Sequence, residues 1–188
     1  MAIKAIIFDI GGVLLENPLI GKFWQSKSGS KELRDKFGAG KIPKEYFIKE
    51  ASKILGMPEE DFLENYGKAY FPIGKIDRVF DIIKSLKIKS YLFSDTNPIH
   101  LKFIKNRYPK MFKLAEKSFM SSDIGSRKNE NKSYQYIIKK LKLKPEEILL
   151  IDDKQEVLDI AKKHRLKTIL FKNNKQLIED LKKLGVKV

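Results

Sequence analysis

The sequence has no cysteine among its 188 residues, only two histidines and a single tryptophan. The absence of cysteine excludes a disulfide framework, a thiolate metal site and a cysteine nucleophile. No apolar run approaches the roughly 18 residues that a membrane-spanning helix needs, and the first residues lead directly into a predicted strand rather than a signal peptide. We therefore expect an intracellular, cytoplasmic protein that does not enter a membrane.

Acidic residues are scarce relative to basic ones, because 24 aspartates and glutamates stand against 39 lysines and arginines, a formal net charge of +15. Such an excess can indicate nucleic-acid binding. The lysines, however, are spread along the whole chain at helical spacing between apolar residues, and no arginine-rich arm or nucleic-acid motif accompanies them. We favour a solvated surface over a polynucleotide site. A positive field would also concentrate small phosphorylated molecules near the protein.

The chain length suits one sizeable core with a small insertion and is short for two full domains. Five short apolar runs predict β-strands, and amphipathic helical patterns separate most of them. Continuous apolar strands that alternate with helices indicate a parallel sheet covered on both faces, an α/β fold. The predicted strands are Lys4–Phe8, Lys89–Phe93, Ser118–Met120, Ile148–Ile151 and Thr168–Phe171.

The segment 16–74 interrupts the alternation, since it has helical patterns punctuated by glycine and proline and no evident strand. We predict a small helical cap, residues 16–74, inserted into a core domain made of residues 1–15 and 75–188. Phe23, Trp24 and Tyr70 are expected in the interior of this cap. Its predicted helices are Lys31–Phe37, Lys44–Leu55 and Glu59–Ala69.

Three of the predicted strands end in polar residues, at Asp9, at Ser94-Asp95 and at Asp152-Asp153. Ligands bind beyond the carboxyl ends of the strands in sheets of this kind. These side chains are therefore expected to meet at one site, which is the main structural inference from the sequence.

The first of these strands stops at Asp9 and is followed by Gly11 and Gly12. Glycines permit a tight turn and a close approach of a ligand to main-chain N–H groups. A carboxylate in that setting can attack phosphorus and form an aspartyl phosphate. An aspartate after a strand can equally be a turn or cap residue, so the neighbouring groups decide between the two interpretations.

Two further segments supply groups suited to phosphate. Hydroxyl and N–H groups after the second strand could hold phosphate oxygens, and the same segment could form a turn and helix cap with Pro98 in the first helical position. Lys128, in the loop before a predicted helix at 133–141, could neutralise an attacking carboxylate and a phosphoryl group. The candidate phosphate-binding residues are Gly11, Gly12, Ser94, Asp95, Thr96 and Asn97.

Asp152 and Asp153 are adjacent acids at a strand end, a pair that is unfavourable unless a cation offsets the charge. Ligand sets made only of oxygen suit Mg²⁺, which keeps several waters and bridges to a substrate phosphate. We therefore predict a magnesium site at this strand end. One of the two acids could instead cap the helix that follows.

These four groups, in this order and at these spacings, resemble the haloacid dehalogenase superfamily of hydrolases. Asp9, in F-D-I-G-G-V-L, matches the nucleophile of the first motif, and Ser94, in L-F-S-D-T-N, matches the phosphate-binding hydroxyl of the second. Lys128 matches the lysine of the third motif, and Asp152 with Asp153 matches the acidic fourth motif.

The resemblance covers residues 3–15 and 76–172, and Asn129 stands where proline is common in the third motif. It implies a Rossmann-like three-layer α/β/α core around a five-stranded parallel sheet. The predicted helical cap lies where the superfamily places its type-1 cap.

Gly11 departs from the pattern of most phosphatases of this superfamily, which have a second aspartate there that protonates the leaving group and then activates water. A general acid or base typically contributes 10²–10⁴-fold, or about 3–5 kcal/mol. Some members that resemble sugar-phosphate phosphatases have D-x-G-x-V in the first motif and S-N-T-N in the second, which is similar to this chain. In such a phosphatase, Glu16, a water or the substrate itself could supply the missing proton.

Two functions besides that of a phosphatase stay open. A 2-haloacid dehalogenase also lacks the second aspartate and works without metal, but such relatives have a less acidic fourth motif and commonly an arginine shortly after the first motif. The first arginine here is Arg34. A protein that keeps the fold but turns over little substrate could instead act by binding, for example to nucleic acid through its lysines.

Of these three functions we predict an Mg²⁺-dependent phosphatase for a small phosphorylated metabolite, with Asp9 and Lys128 as its catalytic residues. Without a second aspartate it should prefer good leaving groups, such as acyl, anomeric or aryl phosphates. His100 could line the site, but a position on a helix surface is favoured. The expected magnesium ligands are Asp9, the backbone carbonyl of Gly11, Asp152 and Asp153.

Overall fold

Five parallel strands form one sheet in the order β3-β2-β1-β4-β5. The structure, a computed structural model, describes residues 2–16, 23–24, 30–68, 74, 76 and 78–188. The five-stranded parallel sheet expected from the apolar runs is confirmed. Each observed strand end lies within one residue of the predicted end. The strands are β1 Ala5–Phe8, β2 Lys89–Ser94, β3 Lys117–Met120, β4 Ile148–Asp152 and β5 Lys167–Leu170.

Helices connect the strands and cover the sheet. Within the described ranges, none of them is both long and apolar enough to cross a membrane. They are α1 Ser30–Gly38, α2 Lys44–Leu55, α3 Glu59–Lys68, α4 Val79–Ser85, α5 Pro98–Arg107, α6 Pro109–Lys113, α7 Ser121–Ile124, α8 Asn131–Leu141, α9 Gln155–Lys163 and α10 Asn174–Lys183, with a 3₁₀ turn at Pro145–Glu147.

Strand β1 shows why the sheet is buried on both faces. Successive side chains of a strand point to opposite faces, and here all four are fully buried. Ile6 and Phe8 join a hydrophobic cluster with residues of α4, α5 and α10, whereas Ala5 and Ile7 join a second cluster with residues of α8 and α9. The core therefore has three layers, as expected.

Helices α1, α2 and α3 together with Trp24, called the cap below, share a hydrophobic cluster that is built mainly from aromatic side chains. Phe37 stacks on Phe47 with ring centroids 4.0 Å apart, and Phe62 stacks on Tyr66 at 5.1 Å. Aromatic pairs of this kind contribute about 0.5–1.5 kcal/mol beyond the burial of their area. Phe23 and Trp24 pack here as predicted, and Tyr70 lies outside the described residues.

The register of the three central strands brings their carboxyl ends together. Phe8 of β1 pairs with Leu92 of β2 on one side and with Ile151 of β4 on the other. Asp9, which directly follows β1, is therefore level with Asp152 and one residue short of Ser94. The polar residues predicted to converge at this edge of the sheet do converge.

Candidate active site

Asp9 lies at the end of the central strand and is only 6% exposed. Its N–H donates to the Ile151 carbonyl at 2.9 Å, which continues the strand pairing by one residue. One carboxylate oxygen, Oδ1, accepts from the Ile10 N–H at 2.6 Å and from the Lys128 amine at 2.7 Å. Among the described residues no donor engages the other oxygen, Oδ2, which leaves it for chemistry.

Lys128 lies between two buried acids. Its Nζ is 2.7 Å from Asp9 Oδ1 and 2.7 Å from Asp152 Oδ2, and it lies 5.2 Å from the centroid of the Phe93 ring. The backbone is held as well, because the Lys128 N–H donates to Asp95 Oδ1 at 2.9 Å. The lysine is thus fixed at both ends beside the expected nucleophile.

Burial and charge act in opposite directions on this cluster. Burial raises the pKa of Asp9 to about 7, with the charge of Asp152 adding to this shift and Lys128 opposing it. Burial alone would lower the pKa of Lys128, but the charges of Asp9, Asp152 and Asp95 outweigh it and raise the pKa of the amine above its ordinary value. The lysine is therefore a permanent cation, and the site has more carboxylates than cations to neutralise them.

Three carboxylates form the part of this site that could hold a metal. Oxygen atoms of Asp9, Asp152 and Asp153 all lie within 4.8 Å of one another. Asp152 is fully buried, and its Oδ1 accepts from the Lys154 N–H at 3.0 Å, so it is Asp152 that holds the backbone at the start of α9. Hard oxygen ligands of this kind fit Mg²⁺.

The residues after β2 have two roles, because they line the cavity and also hold a neighbouring loop in place. Ser94, Asp95 and Thr96 line the cavity beside Asp9. Both carboxylate oxygens of Asp95 also hold the loop before α8, since Oδ1 accepts from the Lys128 N–H and Oδ2 accepts from Arg127 Nε at 3.2 Å.

Asn97 caps helix α5. Its Oδ1 accepts from the N–H groups of Ile99 and His100, both at 3.1 Å, and Pro98 takes the first helical position. Its Nδ2 donates to the Tyr66 hydroxyl at 3.1 Å. Asn97 therefore takes the helix-capping role expected for this segment, and its side-chain amide contacts protein groups.

The turn after Asp9 places the two glycines differently. Gly11 lines the cavity and pairs with Leu15 across the turn, whereas the Gly12 N–H donates to the Leu15 carbonyl at 2.7 Å. The N–H group of Gly12 is thus already used within the turn.

A cavity of about 620 Å³ opens above these groups, between the edge of the sheet and the cap. The core supplies Asp9, Ser94 and Lys128 to its floor, and α1 supplies Lys31 and Asp35 to its wall. The cavity is large enough for a small phosphorylated molecule.

The comparison with known families bears on this site directly. The family model described as haloacid dehalogenase-like hydrolase matches residues 3–165. The chain belongs to the haloacid dehalogenase-like hydrolases. The match spans β1 to the end of α9 and thus every residue of the cluster around Asp9.

Solved structures share the whole fold of this haloacid dehalogenase-like hydrolase at low identity. A predicted HAD-like family hydrolase from Porphyromonas gingivalis is 24% identical, with a TM-score of 0.79 over 98% of each chain. A HAD family enzyme from Bacteroides thetaiotaomicron, in complex with magnesium and inorganic phosphate, is 22% identical, with a TM-score of 0.75 over 92% of this chain and 96% of that chain. The L-2-haloacid dehalogenase from Xanthobacter autotrophicus with chloropropionic acid covalently bound is 17% identical, with a TM-score of 0.66 over 99% of this chain and 85% of that chain.

The cap of this hydrolase is docked on the loop that carries Lys128. Asp35 of α1 pairs with Arg127, and Lys41 pairs with Glu130 at 3.1 Å. Ser121 Oγ donates to the Gly38 carbonyl at 2.6 Å. Arg127 therefore joins the cap to Asp95, the residue that also holds the Lys128 backbone.

Gly40 permits the close approach of cap and core. A Cβ at this position would lie 2.3 Å from the Ser122 carbonyl oxygen, and the residue has a φ of +64°. Only glycine adopts this backbone conformation without strain and leaves room for that carbonyl.

Sequence reasoning missed Lys31, Asp35 and Arg127 as cavity residues. Arg127 had a usable signal, because it directly precedes Lys128. The two residues of α1 had none, since charged residues on an amphipathic helix are ordinarily solvated and only the docking of the cap brings them to the cavity.

His100 is not on a helix surface, and that expectation was wrong. It is 2% exposed and packs on the Tyr66 ring with centroids 4.1 Å apart. The Asn97 amide lies 2.8 Å from its Nδ1, and burial lowers the pKa of the ring to about 2. The docked cap covers the face of α5 on which the residue lies.

Proposed function

We propose that this protein is an Mg²⁺-dependent phosphatase that hydrolyses a small phosphorylated molecule through an aspartyl phosphate on Asp9. The observation that carries the proposal is the position of the Lys128 amine, 2.7 Å from both Asp9 and Asp152, with Asp153 completing a cluster of three carboxylates. Such a cluster suits a reaction in which a carboxylate attacks an anion, because both partners need cations beside them. The magnesium and phosphate bound by the Bacteroides thetaiotaomicron enzyme support the same assignment.

The donor set fits magnesium on chemical grounds. Three carboxylates against one lysine leave an excess of negative charge that a divalent cation would offset. Asp9, Asp152 and Asp153 would hold the ion, together with the backbone carbonyl of Gly11. When bound, it would polarise a phosphoryl oxygen as a Lewis acid.

The residues of the chain then divide the work. Lys128 holds Asp9 in place and offsets charge on the phosphoryl group, while Ser94 donates to one of its oxygens. Oδ2 of Asp9 attacks phosphorus, the bond to the leaving oxygen breaks, and water later attacks the phosphorus of the aspartyl phosphate. The P–O bond to Asp9 then breaks and releases inorganic phosphate. Asp95 acts through the Lys128 backbone as a positioning residue.

The dehalogenase alternative has less support. Arg34, the first arginine after the nucleophile motif, donates from Nε to the Ser30 carbonyl at 3.1 Å and lies 5.3 Å from the centroid of the Trp24 ring. Its contacts are therefore within the cap. A metal-free reaction would also leave three clustered carboxylates beside the single positive charge of Lys128, with an excess of negative charge.

The test is phosphate release from p-nitrophenyl phosphate with and without Mg²⁺, for the wild type, Asp9→Asn and the matched control Asp159→Asn on the exposed side of α9. We expect Mg²⁺-dependent release that falls by more than about 10³-fold in Asp9→Asn, as for other nucleophiles, and survives in the control. A folded wild type without turnover would contradict the proposal. Chloride release from chloroacetate would then indicate a dehalogenase, and its absence a binding protein.

A further inference from the structure

The proposed reaction needs a proton at one step. When Asp9 displaces the leaving oxygen, the electron pair of the broken P–O bond stays on that oxygen, and a poor leaving group must be protonated as it departs. Gly11, two residues after the nucleophile, has no side chain to donate. The proton must therefore come from another side chain of the cavity, from a water or from the substrate itself.

Few carboxylates of the cavity are free for this task. Among the described residues, its lining includes Asp9, Glu16, Asp35, Asp95 and Glu156. Asp9 is the nucleophile, and Arg127 pairs with both Asp35 and Asp95. Glu16 and Glu156 remain.

The turn after Asp9 favours Glu16 over Glu156 as the proton donor, because it places Glu16 beside Gly11. The Leu15 N–H donates to the Ile10 carbonyl at 2.8 Å, and Leu15 pairs with Gly11, so the chain closes on itself over six residues. Glu16 therefore leaves the turn beside Gly11, and both residues line the same cavity as Asp9. Glu156, by contrast, lies in the first turn of α9, next to the proposed metal ligands.

A glycine holds the Glu16 carboxylate in place. The Glu16 N–H donates to the Gly74 carbonyl at 2.9 Å, and the Gly74 N–H approaches Glu16 Oε2 at 3.3 Å. A Cβ at residue 74 would lie 2.9–3.0 Å from the carboxylate atoms. Glycine at this position thus leaves the space that the exposed Glu16 carboxylate occupies, and among the described residues no hydrogen-bond donor engages Oε1.

We propose that Glu16 is the general acid and base of the reaction, in the role that Gly11 cannot fill; this inference rests on the proposed phosphatase function. The carboxylic acid of Glu16 gives its proton to the leaving oxygen as the P–O bond breaks. The resulting carboxylate takes a proton from the water that attacks the aspartyl phosphate. Phosphate leaves, Asp9 returns to a carboxylate and Glu16 returns to the acid.

The test compares leaving groups in Glu16→Gln, which keeps the size of the side chain and an oxygen acceptor for the Gly74 N–H. We expect kcat/KM for an alkyl phosphate to fall by about 10²–10⁴-fold, the usual contribution of a general acid. For p-nitrophenyl phosphate, whose leaving group needs no proton, kcat/KM should change by less than about tenfold. Its kcat should still fall and a burst of p-nitrophenol should appear, because the variant cannot activate water and the aspartyl phosphate accumulates.

A second variant moves the carboxylate without removing it. Gly74→Ala places a methyl group against Glu16 and should steepen the leaving-group dependence in the same sense. In the Glu16→Gln background, Gly74→Ala should change the leaving-group dependence little further, since both substitutions act through the side chain of residue 16. The controls are Gly38→Ala, whose added Cβ meets nothing within 4 Å, and Glu116→Gln, which removes an exposed acid at the opposite end of the sheet.

The outcomes separate this inference from the proposed function. Equal losses of kcat/KM for alkyl and aryl phosphates in Glu16→Gln would overturn the role of Glu16 while leaving an Asp9- and Mg²⁺-dependent phosphatase intact. The same holds if Glu156→Gln, rather than Glu16→Gln, steepens the leaving-group dependence. Failure of the phosphatase function would show earlier, as a wild type that releases no phosphate from p-nitrophenyl phosphate.

Discussion

Acidification is expected to weaken the fold through His100. Burial lowers the pKa of this histidine from 6.5 to about 2, while a hydrogen bond with the Tyr66 backbone acts in the opposite direction. Between these two pH values the unfolded chain binds a proton that the native protein does not bind. Stability is therefore fully present above about pH 6.5 and is lost as the pH falls below it.

The size of the loss in unfolding free energy follows from the pKa of His100 in the unfolded chain. Each pH unit below that value costs about 1.36 kcal/mol, so the free energy of unfolding should drop by about 2 kcal/mol between pH 8 and pH 5. This drop hardly depends on the pKa of His100 in the native protein, because the buried ring stays neutral at pH 5 as long as that pKa is below about 4.

The assay is urea unfolding at pH 8, 7, 6 and 5 for the wild type, His100→Gln and the control His164→Gln, which removes the other histidine. Glutamine can offer Asn97 an oxygen acceptor and does not titrate. The difference in unfolding free energy between wild type and His100→Gln should change by about 2 kcal/mol across this range. Parallel curves for the two proteins would refute the reasoning, whatever their constant offset.

Two further substitutions test the packing of the site and of the cap. Lys128→Met should abolish phosphatase activity and lower the free energy of unfolding by about 3–5 kcal/mol in urea titrations, because it leaves two buried carboxylates without their cation. Gly40→Ala should lower it by about 2 kcal/mol or more, since it combines left-handed backbone strain with overpacking against a carbonyl oxygen. Gly38→Ala, at the end of α1, should behave like the wild type in the same titrations, and a similar loss in both glycine variants would mean that close approach to the core is not the cause.

The groups at the carboxyl edge of the sheet could be predicted because local patterns determine them. Asp9 and Asp152 each follow an uninterrupted apolar run, and parallel strands bring their ends to one edge. Lys128 was found by its position in a motif. These residues depend on the core fold alone, and the core fold follows from short-range patterns in the sequence.

The contacts that depend on the docked cap could not be predicted. Asp35 and Arg127 are 92 residues apart, and nothing in either local sequence indicates the pair. The burial of His100 likewise depends on Tyr66, which lies on a helix of the cap. Such contacts follow from how the cap packs against the loops and helices around the sheet, and hydrophobic periodicity carries no information about that packing.

The separate hydrophobic cluster of the cap has an evolutionary consequence. Among the described residues, Ile99 is the only buried member of that cluster that lies outside the cap. Substitutions among the cap aromatics can therefore shift α1, which carries Lys31 and Asp35 at the cavity wall, while the clusters on either side of the sheet stay as they are. Substrate range and catalytic chemistry are free to diverge at different rates, because they draw on different packing units of the same chain.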